Sequence, residues 1–150
     1  MLSIYSDEHF MRQALQQAQL AFEADEVPIG AIVVSSSNRI IGKGYNQVER
    51  LKDPTAHAEM IAISAACAYL DAKILDDCTL YVTIEPCSMC AGGLYWARIG
   101  RVVYGASEPK FGFHSKELPL LHPKTRFEGG LLEVECREIM QRFFLEKRMR

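Results

Sequence analysis

The strongest signal in this sequence comes from two stretches, His57-Ala58-Glu59 and Pro86-Cys87-Ser88-Met89-Cys90. The imidazole of His57 and the thiolates of Cys87 and Cys90 make three ligands for a zinc ion, with Zn–S bonds near about 2.3 Å and a Zn–N bond near about 2.0 Å. Three protein ligands leave the fourth tetrahedral position open to water, whereas a structural zinc site is normally closed by a fourth ligand. The sequence therefore predicts one catalytic zinc ion per chain.

Both stretches are predicted to lie at the start of a helix. Residues two apart on a helix do not share a face, so His57 and Glu59 can serve one metal ion only around a helix end. Asp53 or Thr55 is the predicted cap, which places both residues in the first turn. The two cysteines likewise open a helix, where exposed N–H groups and the positive helix terminus favour thiolates. Two helix N-termini are therefore expected to converge on one cation.

Glu59 is predicted to move protons rather than to bind the metal. A carboxylate beside an open metal position can take a proton from the bound water and return it to a ring nitrogen and a leaving amine. A Cys-x-x-Cys pair alone is compatible with redox chemistry or half a zinc finger, and His114 or His122 stays open as a distant fourth ligand. The combined order His-x-Glu, then Pro-Cys-x-x-Cys, is typical of nucleobase deaminases.

The rest of the chain alternates predicted helices with short predicted strands. Ser6 is the predicted cap of a first helix, Val27-Pro28 ends it, and an Ala-rich helix is expected to end near Leu70. Two more helices are expected, from Pro86 to near Arg98 and over residues 135–147. The predicted strands cover residues 29–34, 39–45, 79–84, 101–105 and, as a short fifth strand, 131–134. Residues 46–54 and 106–130 are expected to be irregular. This alternation predicts one three-layer α/β/α domain over residues 1–150, with a central mixed sheet of about five strands.

Composition and charge limit the classes of protein that this chain can belong to. The chain has 150 residues, 49% of them hydrophobic, and a net charge of −2, which is typical of a globular protein without a global basic field. No apolar run is long enough to cross a bilayer and no signal peptide opens the chain, so we expect a soluble cytoplasmic protein with no membrane partner. An odd number of cysteines, five, argues against a disulfide framework.

The charge is unevenly distributed along the chain. Residues 95–150 hold 11 of the 17 Lys and Arg but only 7 of the 19 Asp and Glu. A basic C-terminal third can meet a polyanion such as RNA, and it can equally form a solvated helix face. Charge alone favours the solvated face.

The chain resembles the cytidine deaminase-like superfamily and, within it, the bacterial tRNA adenosine deaminases. The resemblance covers nearly the whole chain, and the stretches that carry it are Glu26–Ala31, Gly44–Asn46, Asp53–Glu59, Glu85–Gly92, Arg98–Ala106 and the closing Phe143-Phe144. It implies hydrolysis of adenosine to inosine at the wobble position of a tRNA anticodon, with arginine tRNA as the expected substrate. It also implies a homodimer.

The resemblance also implies a set of substrate contacts. Asn46 matches the family's asparagine, which helps to hold the flipped base, and a carboxamide can both donate to and accept from an adenine edge. Ala58 and Lys110 are further candidates for substrate binding. Where the family usually has an aspartate that faces a ribose hydroxyl, this chain has Glu108, whose carboxylate sits one methylene further out. Phe144 is the candidate for stacking on a splayed base.

The two phenylalanines of the closing helix can either pack in the core through its apolar face or contact the substrate. Ile139 and Met140 mark that face together with Phe143. We therefore expect one of Phe143 and Phe144 to lie in the core and the other near the site.

Two rival functions come from different classes. Gly93–Arg98 resembles the matching stretch of guanine deaminases, so a deaminase of free guanine, cytosine or cytidine is the first rival. The second rival is a zinc-stabilised module that binds RNA without chemistry. Glu59 argues against the second, because a structural metal site has no use for a carboxylate beside an open position.

Overall fold

The structure is a computed structural model, and it describes residues 4–115 and 119–150. The helices are α1 (Asp7–Glu23), α2 (Val48–Leu51), α3 (Ala58–Leu70), α4 (Ser88–Ala97) and α5 (Glu133–Arg148). The strands are β1 (Gly30–Val34), β2 (Ile40–Tyr45), β3 (Thr79–Ile84), β4 (Arg101–Ala106) and β5 (Arg126–Glu128). A short 3₁₀ helix covers Phe113–Ser115. Among the described helices, none has both the length and the apolar character that a membrane span requires.

The five strands form one mixed sheet in the order β2-β1-β3-β4-β5. Strand β1 pairs antiparallel with both β2 and β3, whereas β3–β4 and β4–β5 are parallel. Every residue of β1 is buried, because helices cover both faces of the sheet at its centre. The predicted mixed sheet of five strands is confirmed.

Two separate apolar clusters place the helices on opposite faces of the sheet. On one face, Ala62 of α3 and Leu94 of α4 pack in a cluster with Val33 and Val82. On the other face, Met11 of α1 and Cys136 of α5 pack in a second cluster with strand residues such as Ile32 and Val103. Side chains of a strand alternate between the two faces, so each central strand contributes to both clusters. This arrangement is the predicted three-layer α/β/α architecture.

Helix α3 lies directly against the backbone of β2. A Cβ atom added to Gly44 would lie 2.3 Å from the carbonyl oxygen of Ala58, and one added to Gly42 would lie 2.3 Å from that of Ala62. Real Cβ atoms do not approach an oxygen so closely. The two glycines therefore allow the helix to rest on the sheet at the end that carries His57 and Glu59.

The fifth strand is not where the sequence pattern placed it. The prediction of a strand over residues 131–134 is wrong, since β5 is Arg126–Glu128 and Leu132, with φ of +53°, is the N-cap of α5. All three residues of β5 are exposed at the sheet edge, so no alternation of apolar and polar residues marks the strand. Leu131 and Leu132 pack against the second cluster, which accounts for two apolar residues at positions that are not in a strand.

The segment before α3 also differs from the prediction. His57, rather than Asp53 or Thr55, is the N-cap of α3. The Asp53 carboxylate instead accepts hydrogen bonds from the backbone N–H and the hydroxyl of Thr55, at 2.8 and 2.7 Å, in a turn that precedes the helix. The predicted loop over residues 46–54 contains the four-residue helix α2.

Candidate functional site

His57, Cys87 and Cys90 come together as a three-ligand group. Their ligand atoms all lie within 4.8 Å of one another, and they form the one such group of His, Cys, Asp and Glu found in residues 4–115 and 119–150. The Nδ1 atom of His57 lies 3.6 Å from the Cys87 sulfur and 3.5 Å from the Cys90 sulfur. Bonds of about 2.3 and about 2.0 Å at a tetrahedral angle put sulfur and nitrogen about 3.5 Å apart. The donor set and its spacing therefore fit a zinc ion.

The fourth ligand that the sequence left open is not supplied by a histidine. His114 and His122 do not belong to the three-ligand group of the described residues. The His114 ring instead packs against Phe127 with a centroid distance of 5.4 Å, and the His122 ring packs against Tyr95 at 5.6 Å. Three protein ligands and one open position are typical of a catalytic metal site.

Two helix N-termini do converge on the three ligands. His57 is the N-cap of α3 and Cys87 is the N-cap of α4, which confirms the predicted helical context. A hydrogen bond from the Cys90 thiol and the neighbouring imidazole lower the pKa of Cys87 to about 4, although its partial burial opposes this shift. The same contact and burial raise the pKa of Cys90. A metal ion bound here would replace the proton that the two sulfur atoms share.

Glu59 is buried beside the ligands. Its side chain lines the same cavity as His57 and Cys87, and the residue is 4% exposed. Desolvation of the carboxylate raises the pKa of Glu59 to about 7. A group with a pKa near neutral pH can both accept and donate a proton under physiological conditions, which is what general acid–base catalysis requires.

A cavity of about 480 Å³ opens above these groups and has room for a nucleobase with part of its sugar. The residues in its wall that carry the argument are Asn46, His57, Glu59, Cys87, Glu108 and Phe144. The structure thus brings most of the candidate residues to one site. Ala58 and Lys110 are not in this wall: Ala58 has no exposed surface, and Lys110 is exposed on the loop after β4.

Asn46 links the end of β2 to the start of α3. Its side-chain carbonyl accepts a 2.9 Å hydrogen bond from the backbone N–H of Ala58, and Asn46 itself is 7% exposed. The contact fixes the carboxamide orientation and satisfies one of the free N–H groups of the helix start. Ala58 therefore serves the site through its backbone, by orienting Asn46.

Glu108 shapes the loop that follows β4. Its Oε1 atom accepts hydrogen bonds from the backbone N–H groups of Lys110, at 2.9 Å, and Phe111, at 3.2 Å. The Lys110 ammonium lies 5.4 Å from the centroid of the Phe111 ring. Phe111 also lines the cavity, which the sequence pattern did not indicate.

Glu85, the residue before Pro86, is a second functional position that the sequence analysis missed. It is 6% exposed, and its two carboxylate oxygens accept 2.9 Å hydrogen bonds from the backbone N–H groups of Glu108 and His114. Glu85 therefore fastens both ends of the loop over residues 108–114 to the strand that leads to Cys87. No spacing rule marks such a residue, because its partners are backbone groups 23 and 29 positions away.

Glu26 anchors α2 through backbone hydrogen bonds, as Glu85 anchors the loop over residues 108–114. It is 2% exposed, and its carboxylate accepts hydrogen bonds from the N–H groups of Glu49, at 3.0 Å, and Arg50, at 2.8 Å. An anionic group at a helix N-terminus satisfies free donors and complements the helix dipole. This contact fixes the segment that follows Asn46.

The two adjacent phenylalanines of α5 divide as expected, one in the core and one at the site. Phe143 is 3% exposed and stacks edge-on against Phe22 at 5.9 Å. Phe144 is 41% exposed and lines the cavity together with Met140. Lys147, one turn further along, lines an adjoining cavity of about 300 Å³ that also contacts Asn46 and Phe144.

Comparisons with known proteins agree with this geometry. The family model of the MafB19-like deaminases matches residues 5–148. A tRNA-specific adenosine deaminase of Aquifex aeolicus is 45% identical in an alignment of 146 residues that covers 94% of this chain and 95% of that protein.

Two solved structures bear on the choice of substrate. A structure from a study of A-to-I editing by tRNA:A34 deaminases at the wobble position is 43% identical and covers 87% of this chain and 98% of its own, with a TM-score of 0.82. The guanine deaminase of Bacillus subtilis is 42% identical but covers 71% of each chain, with a TM-score of 0.65. The match to the tRNA deaminase structure thus extends over more of both chains. This chain belongs to the tRNA-specific adenosine deaminases, within the MafB19-like deaminase family.

Proposed function

We propose that this protein hydrolyses adenosine to inosine at the wobble position of a tRNA anticodon and releases ammonia. The observation that carries the proposal is the three-ligand group with Glu59 buried beside it in one cavity. Relatives of nearly the same length are named tRNA-specific adenosine deaminases. In line with the family, arginine tRNA is the proposed substrate and the cytoplasm the proposed location.

Zinc is the proposed metal, held by His57, Cys87 and Cys90. Nitrogen and thiolate donors at tetrahedral spacing suit Zn²⁺, whereas Mg²⁺ and Ca²⁺ prefer oxygen ligands. A bound zinc ion would supply Lewis-acid activation of water at neutral pH.

Glu59 is the proposed proton carrier. It would take both protons of the attacking water in turn and deliver the first to the purine ring nitrogen and the second to the departing amine, so that the oxygen stays on C6, the C6–N bond breaks and ammonia leaves. Asn46 would bind the adenine edge through its NH₂ group, since its carbonyl oxygen accepts the Ala58 N–H. The fixed carboxamide would orient the base without further ordering.

The walls around this site suit an RNA loop better than a free nucleoside. Phe144 offers a half-exposed ring, and Lys147, whose ammonium lies 3.8 Å from the Asp25 carboxylate, offers a cation in the adjoining cavity. Aromatic rings stack on unpaired bases and cations meet phosphates in single-stranded RNA recognition. Glu108 is the proposed holder of the loop beside the ribose, with Lys110 at its exposed edge.

A homodimer is part of the proposal. Helix α4 exposes Tyr95 and Trp96, which are 38% and 78% accessible, and their rings lie 5.5 Å apart. Large exposed aromatic side chains on one helix are typical of a surface that another chain covers. Leu94 of the same helix is fully buried in the core and does not contribute to this surface.

The substrate is tested by offering one preparation four compounds, namely an anticodon stem-loop with adenosine at the wobble position, free adenosine, guanine and cytidine. We expect turnover of the stem-loop and little of the others, because remote contacts position the target base and a truncated substrate loses rate. Faster release of ammonia from guanine than from the stem-loop would refute the proposal and support the guanine deaminase alternative.

The metal is tested by elemental analysis of the purified protein. We expect about one zinc per chain, and loss of the metal in the double variant Cys87→Ala/Cys90→Ala. The matched control is Cys67→Ala/Cys78→Ala, which removes two thiols outside the three-ligand group. Full zinc content in the first double variant would refute the ligand assignment.

A further inference from the structure

Phe111 exposes an aromatic ring at the mouth of the cavity. Its side chain is 59% accessible to solvent, yet the residue lines the same cavity as Glu59 and Cys87. An exposed ring in a cavity wall buries little apolar area in the folded protein, so it contributes little to the stability of the fold. A ligand that covers the ring would recover this apolar area.

The backbone holds Phe111 in place before any ligand binds. The Glu108 carboxylate accepts the N–H of Phe111 at 3.2 Å and that of Lys110 at 2.9 Å. Glu85 in turn accepts the N–H of Glu108 at 2.9 Å, and the next residue along the loop, Gly112, donates to the Glu108 carbonyl at 2.9 Å. Because this turn is already fixed, the loop loses less conformational entropy when a ligand binds against the ring.

The chemistry around the ring matches a nucleotide. The Lys110 ammonium lies 5.4 Å from the ring centroid, which places a cation within one residue of an exposed π face. Proteins that bind single-stranded nucleic acid pair such faces with cations, since every base offers a π face and every nucleotide a phosphate. A second exposed ring, Phe144, reaches the same cavity from α5.

We propose that Phe111 is the stacking platform for the nucleobase that directly flanks the target adenosine, with Lys110 meeting the phosphate beside it. A base that enters the cavity leaves its neighbour without a stacking partner, and the Phe111 ring replaces that partner at the cavity mouth. This inference rests on the proposed function, since it requires an RNA loop as substrate.

The test is a double-mutant cycle that combines one substitution in the protein with one change in the RNA. The catalytic efficiency of deamination, kcat/KM, is measured for the wild-type protein and for Phe111→Leu, which keeps an apolar side chain but has no π face. The substrates are the intact stem-loop and two stem-loops with an abasic nucleotide immediately 5′ or 3′ of the wobble adenosine. Stacking on an aromatic side chain contributes about 1–3 kcal/mol per base, which corresponds to about 5- to 150-fold.

In the wild type, we expect one of the two abasic changes to lower kcat/KM by at least about 5-fold through lost stacking. In Phe111→Leu, that same change should have little further effect, while Phe111→Trp should restore the sensitivity. Phe127→Leu is the matched control, because Phe127 is 44% exposed and packs on Phe113 at 5.3 Å but is outside the cavity wall given above. It should keep the wild-type response.

The two proposals fail in different ways. If the wild type does not deaminate the intact stem-loop, the proposed function fails. If it does, and the abasic changes lower kcat/KM equally in the wild type and in Phe111→Leu, the stacking role of Phe111 is overturned while the function stands. Thermal unfolding of Phe111→Leu at the wild-type temperature excludes a folding defect as the cause.

Discussion

Replacing the buried carboxylate of Glu85 by an amide should loosen the loop over residues 108–114. The carboxylate accepts two backbone hydrogen bonds of 2.9 Å, and a glutamine can accept only one of them while its NH₂ group faces the other N–H. A hydrogen bond to a charged group contributes about 1.5–3 kcal/mol. Removal of a buried charge offsets part of this loss, so we expect Glu85→Gln to lower the free energy of unfolding by about 1.5–2 kcal/mol.

Thermal unfolding and hydrogen exchange measure this effect separately. For a chain of this length, about 1.5–2 kcal/mol corresponds to a fall in Tm of about 3–8 °C. Faster exchange should be confined to the loop over residues 108–114 and be largest at whichever amide, that of Glu108 or that of His114, loses its acceptor. Glu138→Gln is the control, because Glu138 is exposed on α5 and a surface change there should alter stability by less than about 0.5 kcal/mol. A Tm and amide protection in Glu85→Gln equal to those of the control would refute this account of Glu85.

Three further predictions concern the proton carrier, an ion pair and the closing helix. Glu59→Ala should lower the rate of inosine formation by about 10⁴-fold or more without loss of zinc, and near-normal activity would place the proton carrier elsewhere. The Arg101 guanidinium, 2.7 Å from Asp7, holds the pKa of that carboxyl below its ordinary value of about 3.9, so its contribution to stability is present above about pH 4 and is lost as the pH falls through the lower, folded-state pKa. The difference in Tm between the wild type and Asp7→Asn should therefore shrink on acidification below about pH 4, and a constant difference would contradict this assignment. Phe143→Ala should cost about 3–5 kcal/mol in unfolding experiments, whereas Phe144→Ala should cost little stability and raise KM for the stem-loop, and the reverse pattern would exchange their roles.

The features that the sequence predicted correctly are those encoded by residues close together in the chain. Ser6 was the predicted cap of the first helix, and its hydroxyl accepts the N–H of His9 at 3.1 Å. The spacing of Cys87 and Cys90 at a helix start was enough to predict two of the three ligands. Their pairing with His57 was predictable because the two stretches together form one known pattern.

The features that escaped prediction depend on contacts distant in sequence. Glu26 and Glu85 are buried carboxylates whose partners are backbone N–H groups, and any residue type can supply such a group. Strand β5 has three exposed residues, so it shows no hydrophobic period, and the parallel pairing with β4 alone defines it. Phe111 lies in a segment without hydrophobic periodicity, and its place in the cavity wall is apparent only from the structure.

Because β2 and α3 are in close contact, the geometry of the three-ligand group depends on the absence of a side chain at Gly44. An alanine at Gly44 would place its methyl carbon 2.3 Å from the Ala58 oxygen, about 1 Å short of ordinary contact at 3.4 Å, so the helix end would have to move away by a similar amount. His57 immediately precedes Ala58, and its nitrogen lies 3.5 Å from the Cys90 sulfur, a distance that tetrahedral zinc bonds span with little tolerance. Gly44 therefore acts as a spacer between strand and helix, and the absence of a methyl group there keeps His57 within reach of the two cysteines.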